Sequence, residues 1–599
     1  MKLLRLKINQ ENGFRSLQKD FELFFLDKDD WSEATVFNPY VFAGKNGSGK
    51  SNVLEALSEI FYHLDCIYLS NKPNYFDEEV INSTATFNST TSRVNEYELE
   101  YLTFFNNKDS FNGDENAFID TKKYFIDIDD KTKLRQKAHI RITKEKTKRP
   151  VIEWVNKKEF NLKEKVELSS SQLKYLLPEY IVGYASGENE TLSLPFFKSR
   201  FIQYDAYYNN LITETTTDPS PESSLIYVDK SYSQFILLTN MLMHTNSNLD
   251  KDILSPFKEY VGIEKIYSFR LIIKTDILKK FEDKNYPLLK NLDFDSKKEL
   301  KNTGSYIEKL KKCATTWYEE NKDISPFESF MHGGDNFLIL DYKVNDATIK
   351  AFQLHFENNP LKLFQLFQLL LILEIHSVDE ESKNNTYATD NIFLSESINF
   401  RPIESRRVLN IKNFEIKKKG LKKNIYTKAL SDGEHQFLHS LGLCLLFKDT
   451  RSLFLLDEPE THFNPSWKAK FLSSLRFCFE QEEENSNQTM REMLITTHSP
   501  YLLSDSDSQY VQVFKKGEAP FHPDFQTFGT SVNTIGIKIF NMPNTIGKVA
   551  QKRITDYKEE LEQIESPENI ELFIKKVKSE MGESVERLLL LNDAYKKLK

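Results

Sequence analysis

Cysteine is scarce in this chain. There are four in 599 residues, Cys66, Cys313, Cys444 and Cys478, and none is spaced as Cys-x-x-Cys. The common zinc-binding and dithiol motifs are therefore missing. All four lie in apolar runs and read as buried free thiols of a reducing compartment. Glycine is also sparse, at 19 against 46 phenylalanines, so the chain reads as ordered and well packed. No apolar run reaches the roughly 20 residues needed to span a bilayer. The most lipid-like one, Leu363 to Leu373, is interrupted by Gln365 and Gln368 and reads as a buried helix. The start, MKLLRLKIN, has too short an apolar run for a signal peptide and alternates like a strand. These absences point to a soluble, cytoplasmic protein without a membrane segment. A basic excess is lacking too. The formal net charge is -9, which argues against a globally basic surface that coats nucleic acid. Local basic clusters remain at Lys144 to Arg149 and Lys417 to Lys423. Each reads as a solvated hairpin or, if both line one groove, as a track for a phosphate backbone.

What is present is a strand, turn and helix pattern at both ends of the chain. Residues 1–62 read as strands leading into a glycine loop and an amphipathic helix. Residues 63–225 hold alternating segments separated by charged turns, which predict an antiparallel β subdomain with loops. Residues 226–390 read as a mainly helical insertion. In 391–545 strands and helices alternate again, predicting a parallel α/β lobe. Residues 546–599 read as charged helical pieces. The predicted fold class is thus α/β, with a helical insertion and C-terminal helices.

Three stretches carry chemistry. GKNGSGKS, Gly44 to Ser51, matches G-x-x-x-x-G-K-[ST] between a strand and a helix, the context that motif requires. Gly44, Lys45, Asn46, Gly47, Ser48, Gly49, Lys50, Ser51 and Asn52 are the candidate nucleotide-binding residues. Inward-turned N–H groups and a helix N-terminus suit phosphate oxygens. Lys50 can neutralise the β- and γ-phosphates of ATP, and Ser51 can ligate Mg²⁺. SLFLLDEPE then delivers Asp457 and Glu458 at the end of an apolar strand. Two adjacent carboxylates on extended chain point in different directions, so one can serve the metal while the other takes a proton from water. MLITTHSP repeats the geometry with His498, a candidate γ-phosphate sensor.

A fourth stretch, LSDGEHQFLHSLG from Leu430 to Gly442, opens a helix with small and polar residues. Taken in order, the four motifs resemble the ABC-type ATPases of the SMC, RecF and OLD group. That resemblance implies an ATPase head with a mixed sheet plus an antiparallel β subdomain. It implies a homodimer, or a higher even-numbered oligomer, with ATP and Mg²⁺ sandwiched between protomers. Ser431, Asp432, Gly433 and Glu434 would form the signature that reaches the other protomer's nucleotide. Asp457 would share Mg²⁺ with Ser51, Glu458 would polarise the attacking water, and His498 would be the switch histidine. Thr461 to Pro465 matches a dimer-crossing loop. Asp432 stands where many signatures have glycine, and Glu434 replaces glutamine. Ala185 to Glu190 resembles the region of the Q-loop, with Asn189 as its candidate residue, and Arg15 resembles a position near the nucleotide. At a finer level LSDGEHQFLH, DEPETHFNP and Thr527 to Ile535 are similar to ATPases of bacterial anti-phage systems, the Septu type and its retron-linked forms among them. That implies a separate HNH nuclease partner, a reverse transcriptase with its DNA–RNA hybrid in retron versions, and nucleic acid in the complex. Two other expectations stay open. One is a DNA-repair ATPase of RecF or SMC type. The other is an OLD-like enzyme with its own nuclease, for which Asp505 and Asp507 are the only late D-x-D.

Overall fold

The computed structural model describes residues 1–26, 36–70, 87–104, 137–160, 168–186, 192–212, 222–245, 252–275, 306–322, 335–390, 407–480, 490–542 and 546–598, with residues 31, 34, 72, 73 and 76 between them. Asn189 falls outside the described residues. The described chain divides into two units, Met1–Thr530 and Ser531–Lys599.

The first unit is built on a six-stranded sheet. Its strands are β3 (Tyr40–Gly44), β7 (Tyr180–Ala185), β8 (Leu225–Tyr227), β14 (Ser452–Asp457), β15 (Glu492–Thr497) and β16 (Val511–Phe514). The order is β16-β3-β15-β14-β7-β8 and every pairing is parallel. The central strands β3, β14 and β15 are buried along their whole length, as expected for a parallel sheet covered on both faces. So the α/β class holds, with the parallel lobe at its centre.

Antiparallel pairing is segregated into two further sheets. One, in the order β2-β1-β4-β5-β6, joins β1 (Lys2–Ile8), β2 (Phe21–Phe24), β4 (Tyr97–Thr103), β5 (Ala138–Lys144) and β6 (Val151–Trp154). Helix α1 (Lys50–Ile67) shares one core with it and with the parallel sheet, through Leu54, Leu57, Ile60, Leu6, Ile140, Leu453 and Leu494. Sixteen of its eighteen residues are buried, so it serves as packing between two sheets as well as a loop terminus.

The other sheet draws strands from residues 226–390, which hold helices as well: β9 (Ile263–Lys274), β10 (Thr316–Lys322) and β11 (Asp335–Lys343). They pair with β12 (Leu409–Lys418) and β13 (Ile425–Tyr426) in the order β10-β11-β9-β12-β13. Helices in this stretch include α3 (Ser233–His244) and α4 (Pro360–Ile372), the latter covering the Leu363 run as a buried helix. Ahead of this stretch, α2 (Leu194–Ile212) packs so closely on β7 that a Cβ on Gly183 would lie 2.5 Å from the Phe196 ring. All four cysteines are buried and unbridged. Among the described residues no helix is long and apolar enough to cross a membrane.

The second unit is helical. Lys548–Gln563, Pro567–Glu580 and Val585–Leu598 close a small core of Tyr557, Leu561, Phe573, Ile574, Val577, Leu590 and Leu591.

Candidate nucleotide site

Sheet register brings the first three motifs together. Asp457 of β14 lies opposite Thr496 of β15, and Thr497 lies opposite Ala43 of β3. Three carboxyl ends therefore line up at one edge, the place where open α/β sheets bind ligands. From β3 the chain turns through residues 45–49 into α1. Gly44, Gly47 and Gly49 take φ of 153°, 73° and 104°, values that side-chain-bearing residues rarely adopt. At Gly44 a Cβ would also lie 2.3 Å from the Phe514 carbonyl oxygen. Lys45, Asn46 and Gly47 are exposed, whereas Ser48 Oγ is buried without a hydrogen-bond partner. An orphaned hydroxyl inside an N–H-lined turn fits a phosphate oxygen.

Lys50 is 4% exposed and points back into this turn. Its Nζ donates to the carbonyls of Gly44 at 3.1 Å and Lys45 at 3.2 Å. Burial lowers its pKa, opposed by the negative charges of Glu458 and Asp457. Ser51 donates to Asp457 Oδ1 at 2.7 Å, and Thr496 donates to the same oxygen at 2.5 Å. Ser51 and Asp457 thus present a hydroxyl and a carboxylate to one point. Among the described residues no group of three His, Cys, Asp or Glu side chains could hold a metal ion. That donor set suits Mg²⁺, which takes one or two protein oxygens plus phosphates and water. Asn52 accepts a hydrogen bond from Ser16 at 2.6 Å. Arg15 pairs with Glu55 of α1 at 3.0 Å, joined there by Arg93, and so braces the helix behind the loop.

Glu458 sits beyond the strand end at φ 49°, a left-handed conformation that costs a non-glycine residue roughly 1–2 kcal/mol. Its N–H donates to Thr496 Oγ1 at 3.1 Å, and its carbonyl accepts Thr461 Oγ1 at 2.9 Å, so the turn is held from both sides. His498 Nε2 lies 3.1 Å from both Lys50 Nζ and Glu458 Oε1. Unprotonated, that nitrogen accepts from Lys50; protonated, it donates to Glu458. The His498 contact is the main cause that lowers the Glu458 pKa, against burial.

The fourth motif stands apart. Ser431 caps helix α5 (Asp432–Leu446): its Oγ accepts the Glu434 N–H at 3.3 Å and its N–H donates to Glu434 Oε2 at 2.9 Å. This is a reciprocal capping box. Burial raises the Glu434 pKa, but an ion pair with Lys418 and the Ser431 N–H outweigh it, and the net shift is downward. Ser431 and Asp432 are exposed. Among the described residues no hydrogen bond or ion pair joins 431–434 to 44–51. Gly433 is where α5 meets the 461–465 turn, since a Cβ there would lie 2.7 Å from the His462 carbonyl oxygen. Gln436 Oε1 accepts the His462 N–H at 2.9 Å.

Side chains not singled out from sequence complete the cluster. Ser186, after β7, bonds Thr461 Oγ1 at 2.9 Å and donates its N–H to the Asp457 carbonyl at 3.0 Å. Thr496 and Glu460 are likewise built in, and only the strand-end pattern around them hinted at it. Of the two basic clusters, Lys144 is 2% exposed and donates to the carbonyls of Lys148 in its own hairpin and of Thr90, so it is no part of a surface track.

A family model described as "AAA domain, putative AbiEii toxin, Type IV TA system" matches residues 261–504. That stretch is similar to an AAA domain. It takes in the helix start at Ser431, Asp457, Glu458 and His498, and it begins well after the Gly44–Ser51 loop. No curated protein matches the sequence. Among solved structures a match is the "SmcHead bound to the C-winged helix domain of ScpA", at 11% identity and a TM-score of 0.28, covering 88% of this chain and 98% of that chain. A likeness so slight carries no argument, and the reading below rests on the site itself.

Proposed function

We propose that the chain is an ATP-hydrolysing subunit with an ABC-type head that works as a head-to-head dimer. The observation that carries this reading is the meeting of Lys50, Ser51, Asp457, Glu458 and His498 at three adjacent parallel strand ends, while Ser431 faces solvent. The loop N–H groups and Lys50 bind the phosphates of ATP. Mg²⁺, held by Ser51 and Asp457, would supply charge neutralisation there. Glu458 orients and deprotonates the attacking water. His498, bridging Lys50 and Glu458, reports whether a γ-phosphate separates them. Ser431 and Gly433 meet the partner protomer's nucleotide, so each site needs two chains.

At a finer level, the subunit acts as a sensor in an anti-phage defence complex of the Septu type and restrains a separately encoded HNH nuclease. Support comes from the matched family's printed link to a toxin system and from the LSDGEHQFLH and DEPETHFNP motifs. Nucleic acid, and in retron-linked versions a reverse transcriptase with a DNA–RNA hybrid, belong to that reading. A RecF- or SMC-like repair ATPase is the second reading, favoured by the exposed Lys419, Lys422 and Lys423 near α5. The OLD-like reading has less behind it, because Asp505 and Asp507 belong to no metal-binding group among the described residues. The test measures ATP binding and turnover for wild type and Glu458→Gln, together with cleavage by the lone chain and by the chain with its operon neighbours. Retained binding with turnover down at least 100-fold, and no cutting by the lone chain, is expected. Wild-type turnover in Glu458→Gln removes Glu458 from its role, and robust metal-dependent cutting by the lone chain revives the OLD-like reading.

A further inference from the structure

Glu460, the second glutamate after Asp457, is not used in the reading above, yet its placement is specific. The residue is 3% exposed. Its Oε1 accepts the hydroxyl of Thr497, the last residue of β15. That hydroxyl oxygen in turn accepts the Ser499 N–H at 2.8 Å. His498 is thus held between two residues tied to one oxygen. On its own side, the Glu460 carbonyl accepts the Phe463 N–H at 3.0 Å and closes the turn that starts at Glu458. Glu458 and Lys468 are the charged groups that face it, with opposite effects. One side chain therefore ties the end of β15 to the turn after β14. Those two segments carry the two groups whose 3.1 Å spacing matters, His498 and Glu458.

We propose that Glu460 is a positioning residue, which through Thr497 locks the His498 segment to the Glu458 turn so that imidazole and carboxylate move as one unit. The inference rests on the ATPase reading for its effect on turnover, but not for its effect on geometry. A displacement of about 1 Å in such a pair costs on the order of 100-fold in rate.

The experiment compares wild type with Glu460→Ala, Thr497→Val, the double variant and Glu460→Gln. Steady-state ATP turnover is read alongside the His498 ring ¹⁵N signal in nucleotide-free protein, assigned with His498→Gln. Glu460→Ala and Thr497→Val should each lower kcat about 100-fold with KM for ATP unchanged, and the double variant should be no worse than either. Glutamine keeps the acceptor and should recover most of that loss. The His498 signal should move in Glu460→Ala and return in Glu460→Gln. A Glu460→Ala protein with wild-type kcat, a Glu460→Gln protein as slow as Ala, or additive losses in the double variant would overturn the proposal. So would an unmoved His498 signal. If the wild-type chain hydrolyses no ATP, the ATPase reading fails, and the His498 signal alone still decides the positioning role.

Discussion

Asp65 offers a direct test of how burial controls charge in the helix behind the phosphate loop. It lies in the last turn of α1, 4% exposed, with Ser224 N–H donating to Oδ2 at 3.1 Å. Burial pushes its pKa from 3.8 up to about 6, with smaller opposing effects from Lys174 and the Ser224 N–H. A negative charge at a helix C-terminus also meets the wrong end of the helix dipole. Because the folded-state value is raised, ionisation costs folding stability. Below about pH 4 the group is protonated in both states and costs nothing. As pH rises from about 4 to about 6 the unfolded chain ionises first, and native stability falls. Above about 6 the loss is complete. At 1.36 kcal/mol per unit, a shift of about 2.2 units corresponds to about 3 kcal/mol. Asp65→Asn removes the titration while its amide oxygen still accepts from Ser224 and its N–H₂ faces Ser223. Urea unfolding of both proteins between pH 4 and 8 should therefore show little difference at pH 4. The Asn variant should be more stable by up to about 3 kcal/mol on a plateau above pH 7. A difference that is flat with pH, or an Asn variant that loses ground above pH 6, would refute the reasoning.

Gly433→Ala forces a Cβ against the His462 carbonyl at 2.7 Å, where only backbone can yield. ATP turnover should fall at least 10-fold while binding to the Gly44–Ser51 loop persists, measured by nucleotide retention. Lys50→Ala and Ser431→Arg should each be inactive alone, yet an equal mixture should recover part of the turnover, because one composite site keeps both an intact loop and an intact signature. A nucleotide-bound structure with Ser431 beside Lys50 of the same chain would end the dimer reading. Gly44→Ala, strained at φ 153° and 2.3 Å from the Phe514 carbonyl, should lose nucleotide binding in a filter assay.

The sequence made the three strand-end motifs legible because each packs a chemical requirement into a few adjacent residues. Glycines, lysine and serine in one loop need no tertiary knowledge, and Asp457 follows an apolar strand that could only be buried. What stayed hidden depended on distant pairing. β9 carries Phe269, Leu271 and Ile273 in alternation, a strand signal overshadowed by the helices on either side. β10, TWYEENK, is polar at its edge of the sheet and reads as easily as a charged helix. Glu460 looks like part of an acidic turn until Thr497 of another strand closes over it. The capping box at Ser431 is written in the S-x-x-E spacing, and the structure shows Glu434 completing that cap.

The place of β3 in its sheet has a consequence for synthesis. It pairs with β15 on one side and β16 on the other, and both are made roughly 450 residues after it. At about 5–20 residues per second, the loop strand waits about 20–90 s for either neighbour. During that interval α1 and β3 lack the neighbours that cover them in the finished sheet, and closing it depends on strongly non-local contacts. The Gly44–Ser51 loop is thus among the earliest sequences to emerge, and the sheet around its strand is among the last to close.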